Sequence, residues 1–266
     1  MNIRGYFDGG NMIELNKVYN QDCLIGMKDI LDKSIDSIIT DPPYGINFRS
    51  NRDSKKRFDF IANDDNLDFF EPFIKEAYRI LNDDRCIFIF CRFDNYPYFY
   101  EVVRKAGFEV KNCLICEKNK ALGGLGDMEG SFLNNYEFIL FATKGKKILF
   151  KDRIGRQFGL ISDKSISSPM QLIYPTQKPV SLIRKLICIA TNEREIVLDP
   201  FIGSGTTALA CKQTNRQFIG FDVSEKAVSL AINRLKQQIL TNSEPNTIQF
   251  TNENKENIRL IQRTRT

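Results

Sequence analysis

Residues Ile196–Cys211 read IVLDPFIGSGTTALAC. A short apolar, β-branched run ends in an acid and a proline, passes through Gly203-Ser204-Gly205, and continues into helix-forming residues. A strand feeding a glycine loop that opens a helix is one unit of a doubly wound α/β sheet. No Gly-Lys-Ser/Thr follows, which excludes a phosphate-cradling P-loop. The letters fit G-x-G-x-x-A, with Ala208 in third place. Asp222 follows Gly203 by nineteen residues, at the end of the strand-like run QFIGFD.

That spacing suits a ribose hydroxyl on Asp222, but Asp199 at the lip of the loop argues against a pyrophosphate. A carboxylate there suits a ligand with positive charge. S-adenosylmethionine, with a sulfonium, an ammonium, a ribose and no phosphate, matches both acids. A dinucleotide, or a glycine turn with no ligand at all, carries the same letters.

The rest of the 266 residues keeps the same rhythm. Apolar runs near 15–19, 35–40, 85–91, 108–117, 136–142, 195–199 and 216–222 read as strands. Amphipathic stretches near 22–32, 67–82, 94–106, 178–191, 205–214 and 224–240 read as helices, the last with Ser224 as N-cap. Such alternation predicts an α/β fold with a mostly parallel sheet covered on both faces. Residues 144–172 break the rhythm with basic residues, glycines and a serine run, and read as an insertion. Residues 1–240 are then one catalytic domain, and 241–266 a polar, asparagine-rich tail.

A second stretch, Ser37–Gly45, reads SIITDPPYG. Proline lacks an N–H and holds the preceding residue extended. Asp41, Pro42 and Pro43 therefore make a corner rich in acceptors, the Asp41 carboxylate and the Pro42 carbonyl, beside the ring of Tyr44. Two acceptors beside a ring suit an aromatic group bearing an NH₂, such as adenine N6 or cytosine N4. A rigid strand-to-loop turn explains the same letters without a ligand.

Composition narrows the chemistry. There is no histidine, so the usual general base and metal ligand are missing. Cys113 and Cys116 form a lone C-x-x-C without a second pair, so no metal site is expected. Seven cysteines in a chain without a secretion signal read as reduced thiols in the cytoplasm. No apolar run approaches the roughly 20 residues of a membrane span. Net charge is +5, concentrated in two stretches. Ile46–Asn63 holds Arg49, Arg52, Lys55, Lys56 and Arg57 against two acids; Lys144–Lys164 holds seven basic residues, among them Lys151, Arg153 and Arg156, against two acids. Such clustering points to a polyanion, although solvated loops look the same.

With both motifs in hand, the sequence resembles the DNA amino-methyltransferases that modify adenine N6 or cytosine N4. DPPY precedes the glycine loop, the order of the permuted β group. The resemblance covers roughly 15–240 and implies a Rossmann-like class I methyltransferase fold, S-adenosylmethionine as cofactor and double-stranded DNA as partner. It implies that 144–172 recognises the target sequence. It assigns Asp41, Pro42, Pro43 and Tyr44 to the amine clamp. It assigns Asp199, Phe201, Gly203, Ser204, Gly205 and Thr206 to the cofactor loop, Asp222 to the ribose and Asp22 to the cofactor's adenine amine. Thr176, Lys178 and Pro179, in YPTQKPVSLI, resemble the segment that meets the methionine carboxylate. Tyr174 replaces a histidine usual in the family, and Cys116-Glu117-Lys118 replaces a common Trp-x-Lys.

Asp-first motifs lean toward adenine in this family, so N6-adenine methylation of a flipped base is the leading expectation. N4-cytosine methylation, RNA amine methylation and a silent DNA-binding module are the alternatives. No Pro-Cys dipeptide occurs, against the covalent route of C5-cytosine methylation. The family also contains dimers and partners of restriction endonucleases, so a homodimer and a cognate endonuclease are further expectations.

Overall fold

A computed structural model describes residues 13–45, 66–117, 130, 135–146, 159–162 and 177–241. Eight strands form one sheet: β1 (Lys17–Asn20), β2 (Ile35–Thr40), β3 (Leu81–Cys91), β4 (Glu109–Glu117), β5 (Tyr136–Lys144), β6 (Leu160–Ser162), β7 (Ile196–Asp199) and β8 (Gln217–Asp222). Their order is β1-β8-β7-β2-β3-β5-β4-β6. Pairing is parallel from β1 through β3, antiparallel for β3–β5 and β4–β5, and parallel again for β4–β6.

The central strands are apolar on both faces because helices cover both. Successive side chains point to opposite sides of a strand, so Ile38, Ile87 and Ile89 join one core while Ile39, Phe88 and Phe90 join the other. The first core is completed by α1 (Cys23–Gly26), α2 (Phe70–Ile80) and α3 (Tyr96–Lys105). On α2 the buried residues Phe70, Phe73, Ile74, Ala77 and Ile80 follow helical spacing. The second core is completed by α4 (Val180–Ala190), α5 (Thr206–Gln213) and α6 (Glu225–Thr241). Fully burying each large apolar side chain contributes about 1.5–3 kcal/mol.

The predicted helix over 22–32 is shorter than its pattern: one turn of α1 and a 3-10 turn, Met27–Asp29. Gly26 explains the tight fit, since a Cβ there would lie 2.2 Å from the Phe221 ring. β6 lies inside the segment read as a loop insertion; it pairs with Ile115–Glu117 and has no strand-like run of its own. Ser224 does cap α6, accepting from the Ala227 N–H at 3.3 Å. The chain divides into two units, 1–235 and 236–266, with the break inside α6. Among the described residues, no helix is long and apolar enough to cross a membrane.

Chain direction across the sheet decides where a ligand can sit. From β2 the chain moves to β3 on one side; β7 and then β8 lie on the other. The strand order therefore reverses between β2 and β7. In open α/β sheets, ligands bind outside the carboxyl ends of the strands at such a switch point. DPPY leaves the carboxyl end of β2, and DPFIGSG leaves that of β7.

Candidate active site

Asp41 leaves β2 with its carboxylate held by side chains. Tyr44 donates its hydroxyl to Asp41 Oδ1. Lys178 Nζ lies 2.9 Å from Asp41 Oδ2 and 3.0 Å from Glu137 Oε1 of β5. The same ammonium stands 4.9 Å from the centroid of the Phe90 ring. All three charged side chains are mostly covered, Asp41 at 24%, Lys178 at 11% and Glu137 at 19% exposure. Burial raises the Asp41 carboxyl above the usual range, and the Lys178 charge opposes that rise. Burial also works to lower the Lys178 ammonium, but Asp41 and Glu137 outweigh it and hold it charged. The Tyr44 phenol is pushed well up, by burial first and by the Asp41 charge second, so it remains a donor at neutral pH.

Lys178 thus departs from expectation. Rather than waiting beside α4 for a ligand's carboxylate, it is committed to two carboxylates of the protein. The reason is proximity: the β2 and β5 ends bring two acids to one cation, and a buried cation goes where its countercharge is. Pro179 is the N-cap of α4. Thr176 lies outside the described residues, as do Arg49, Arg52, Lys55, Lys56, Arg57, Lys151, Arg153 and Arg156.

The glycine loop meets this corner through Asp199. Its carboxylate is 5% exposed and accepts from Thr40 Oγ1 at 3.0 Å, Phe201 N at 3.2 Å and Thr207 Oγ1 at 2.6 Å. Burial lifts it to about 7, against those hydrogen bonds. Asp199 is therefore not at the lip of the loop, as the sequence suggests. It lies beneath, where it ties β7 and α5 to the last residue of β2. Thr40 is adjacent to Asp41, so one side-chain hydrogen bond joins the two motifs.

Gly203 and Gly205 have φ of +50° and +79°, the left-handed region that favours glycine. At Gly205 a Cβ would also lie 2.7 Å from the Ala231 Cβ, so α6 packs directly on the loop. At Gly203 a Cβ would meet nothing within 4 Å, so that side of the loop is open to a ligand. Asp222 borders it: Oδ2 accepts from Gly203 N at 2.9 Å and Oδ1 from Ser224 N at 2.8 Å. Asp22 arrives alongside, because Gln21 N donates to the Asp222 carbonyl at 3.0 Å. Its own carboxylate caps α1, accepting from Leu24 N at 2.7 Å.

Ser204 and Thr206 depart from their expected role. Both hydroxyls face the protein, where the buried Arg234 of α6 donates to Ser204 Oγ at 3.0 Å, Ser204 O at 2.6 Å and Thr206 Oγ1 at 3.4 Å. Phe201 packs on Phe69 and Phe73, ring centroids 5.4 and 5.3 Å away. The sequence reading missed Thr40, Thr207, Glu137 and Arg234. Only Glu137 left a trace, as an acid in the apolar strand YEFILFATK.

These residues suit S-adenosylmethionine. The open face at Gly203 admits a ligand to the backbone, and Asp222 and Asp22 offer acceptors for ribose hydroxyls and an amine. Comparison with known proteins agrees. A family model described as DNA methylase, of the N6/N4 type, matches residues 35–233. The chain is 28% identical to the type II methyltransferase M.HpaI of Haemophilus parainfluenzae over 237 residues, 80% of this chain and 71% of that one. It is 29% identical to the type II methyltransferase M.HinfI of Haemophilus influenzae over 254 residues, 84% and 69% of the two chains. Among solved structures, the M1.HpyAVI–SAM complex matches with a TM-score of 0.65 at 30% identity, covering 82% of this chain and 98% of that one. The cytosine-N4-specific PvuII DNA methyltransferase shares the fold at a TM-score of 0.67 and 17% identity, over 84% of this chain and 89% of that one. The chain belongs to the N6/N4 DNA methylase family and is an S-adenosylmethionine-dependent DNA methyltransferase.

Proposed function

We propose that this methyltransferase is site-specific and methylates the exocyclic N6 of an adenine turned out of double-stranded DNA. The observation that supports the reading is the Thr40–Asp199 hydrogen bond, which ties the end of β2, next to Asp41, to the start of the glycine loop. The Asp-first motif favours adenine over cytosine.

The amine of adenine is a poor nucleophile because its lone pair is delocalised into the ring. Asp41 and the Pro42 carbonyl accept its two N–H groups and favour a pyramidal nitrogen whose lone pair is free to react. Tyr44, by donating to Asp41, fixes the carboxylate that does this. S-adenosylmethionine supplies the electrophilic methyl group. Gly203, Asp222 and Asp22 would hold it, with Phe201 shaping the site from the α2 side. A carboxylate is a weak base for a neutral amine, so Asp41 receives its proton only after the nitrogen has gained the methyl group and become acidic.

Turning a base out of the duplex costs a few kcal/mol, and stacking on an aromatic ring returns about 1–3 kcal/mol. The Tyr44 ring offsets much of the cost in this reading. Phosphate contacts from the basic stretches 46–63 and 144–164 supply the rest and make binding fall steeply with salt.

Product analysis tests the proposal. Duplex DNA methylated by the purified chain is digested to nucleosides and resolved by mass spectrometry. N6-methyldeoxyadenosine is expected. N4-methyldeoxycytidine would overturn the choice of base, and methylation of structured RNA in preference to duplex DNA would overturn the substrate.

A further inference from the structure

Reading Asp41 as the acceptor for the target amine leaves Glu137 unexplained. It is an acid in an otherwise largely apolar strand, mostly covered, with a carboxylate oxygen 3.0 Å from Lys178 Nζ. The lysine is thereby shared between two acids, Asp41 at 2.9 Å and Glu137 at 3.0 Å, over the face of Phe90.

The sharing matters when the reaction ends. Once the nitrogen carries the methyl group, it is positively charged. An N–H bond breaks, its electron pair stays on nitrogen, and the proton forms an O–H bond on Asp41. Asp41 then becomes neutral. A lysine paired with Asp41 alone would be left as an unmatched buried cation, which costs several kcal/mol. With Glu137 beside it, the ammonium keeps a countercharge throughout. Before proton transfer the cluster holds two negative charges and one positive; afterwards, one of each. We propose that Glu137 is a positioning residue of methyl transfer: it holds Lys178 while Asp41 is protonated, and so lets Asp41 take the proton that the methylated amine releases. This inference rests on the proposed role of Asp41.

Among the described residues, the groups that face Asp41 are Tyr44 from its own loop, Cys91 at the end of β3, Glu137 on β5, Lys178 ahead of α4 and Asp199 at the end of β7. Tyr44 and Cys91 are pushed up by burial and remain neutral. Asp199 is the same in every variant below, so differences from wild type report on Glu137 and Lys178.

The experiment is the pH dependence of single-turnover methyl transfer to duplex DNA at saturating S-adenosylmethionine. Activity needs Asp41 ionised, so its acid limb follows that carboxyl. Glu137→Gln gives Lys178 wholly to Asp41 and should move the acid limb down by about one unit, with a severalfold lower plateau. Lys178→Gln leaves two acids facing each other and should move it up by about one unit. Glu137→Asp should sit between wild type and Glu137→Gln, and it preserves the test should Glu137→Gln fail to fold. A purely structural role would shift neither limb. Limbs that coincide with wild type in the folded variants, or that move in the same direction for Glu137→Gln and Lys178→Gln, overturn the inference. Asp41→Ala, run in parallel, separates the two claims: full activity there would overturn the role of Asp41 itself.

Discussion

The two ends of β2 carry the same charge pattern in different hands. At the amino end Asp36 and Glu195 flank Arg85; at the carboxyl end Asp41 and Glu137 flank Lys178. Both clusters are mostly covered. Arg85 donates through both terminal nitrogens to Glu195, at 3.0 and 2.6 Å, and reaches Asp36 at 3.1 Å. Its acids are also fastened to the backbone, Asp36 to Ile196 N at 2.9 Å and Glu195 to Asn192 N at 2.6 Å. Burial works to raise the Glu195 carboxyl, yet Arg85 and Asn192 outweigh it and hold it below its ordinary value. Asp41, by contrast, precedes two prolines without N–H groups and is held by Tyr44 and Lys178 side chains; burial raises its carboxyl, as it does that of Asp36. A planar fork matched to fixed carboxylates makes a scaffold; a rotatable point charge shared between two acids makes a site that can change state.

The largest expected effect separates the two ends. Asp41→Ala should cut methyl transfer about 10³-fold while barely changing the urea midpoint, because Lys178 keeps Glu137. An unfolded Asp41→Ala variant would break the comparison. Next, Arg85→Ala should destabilise the fold by about 3 kcal/mol by leaving two covered acids unpaired, with the rate of the folded fraction within about twofold of wild type. A selective loss of rate without loss of stability would show that the amino end also serves catalysis. A smaller effect is expected from Thr40→Val, which removes the hydroxyl between the two motifs and keeps the strand's shape. About 1 kcal/mol of stability should go, with a few-fold weaker cofactor binding by fluorescence titration. Unchanged binding would mean that the loop holds its shape without β2.

Asp199→Asn sharpens the account through pH alone. The Asp199 carboxyl is raised in the fold, to about 7, from about 4 when unfolded. Its contribution to stability is therefore full below about pH 4 and lost as pH rises through about 7. Asparagine does not titrate. The stability of wild type relative to Asp199→Asn should fall between those limits, read from urea midpoints at acid and neutral pH. A constant difference would mean that Asp199 titrates alike folded and unfolded.

Much of this was legible in the chain because the signals were local. Apolar runs bounded by turns placed β2, β7 and β8, and amphipathic spacing placed α2 and α4. The strand-loop-helix of IVLDPFIGSGTTALAC carried the fold class by itself. What was not legible depended on distant residues meeting. β6 is a strand only because β4 offers its edge. Asp199 reads as a ligand acid until Thr40 and Thr207 are seen to enclose it. Lys178 reads as part of a cofactor site, because nothing in YPTQKPVSLI announces an acid 41 residues upstream. Arg234 looks like one more charge on an amphipathic helix, yet it is buried and pins the glycine loop.

The central claim is that the DPPY corner and the glycine loop form one reaction centre across β2 and β7. A crystal structure with duplex DNA and a non-transferring cofactor analogue tests it most directly. The account predicts an adenine turned out of the helix, its N6 about 3 Å from both the Asp41 carboxylate and the Pro42 carbonyl, with the analogue seated on the open face of Gly203. A target base whose amino group lies away from Asp41, or an analogue bound elsewhere than at the Gly203 loop, would contradict it.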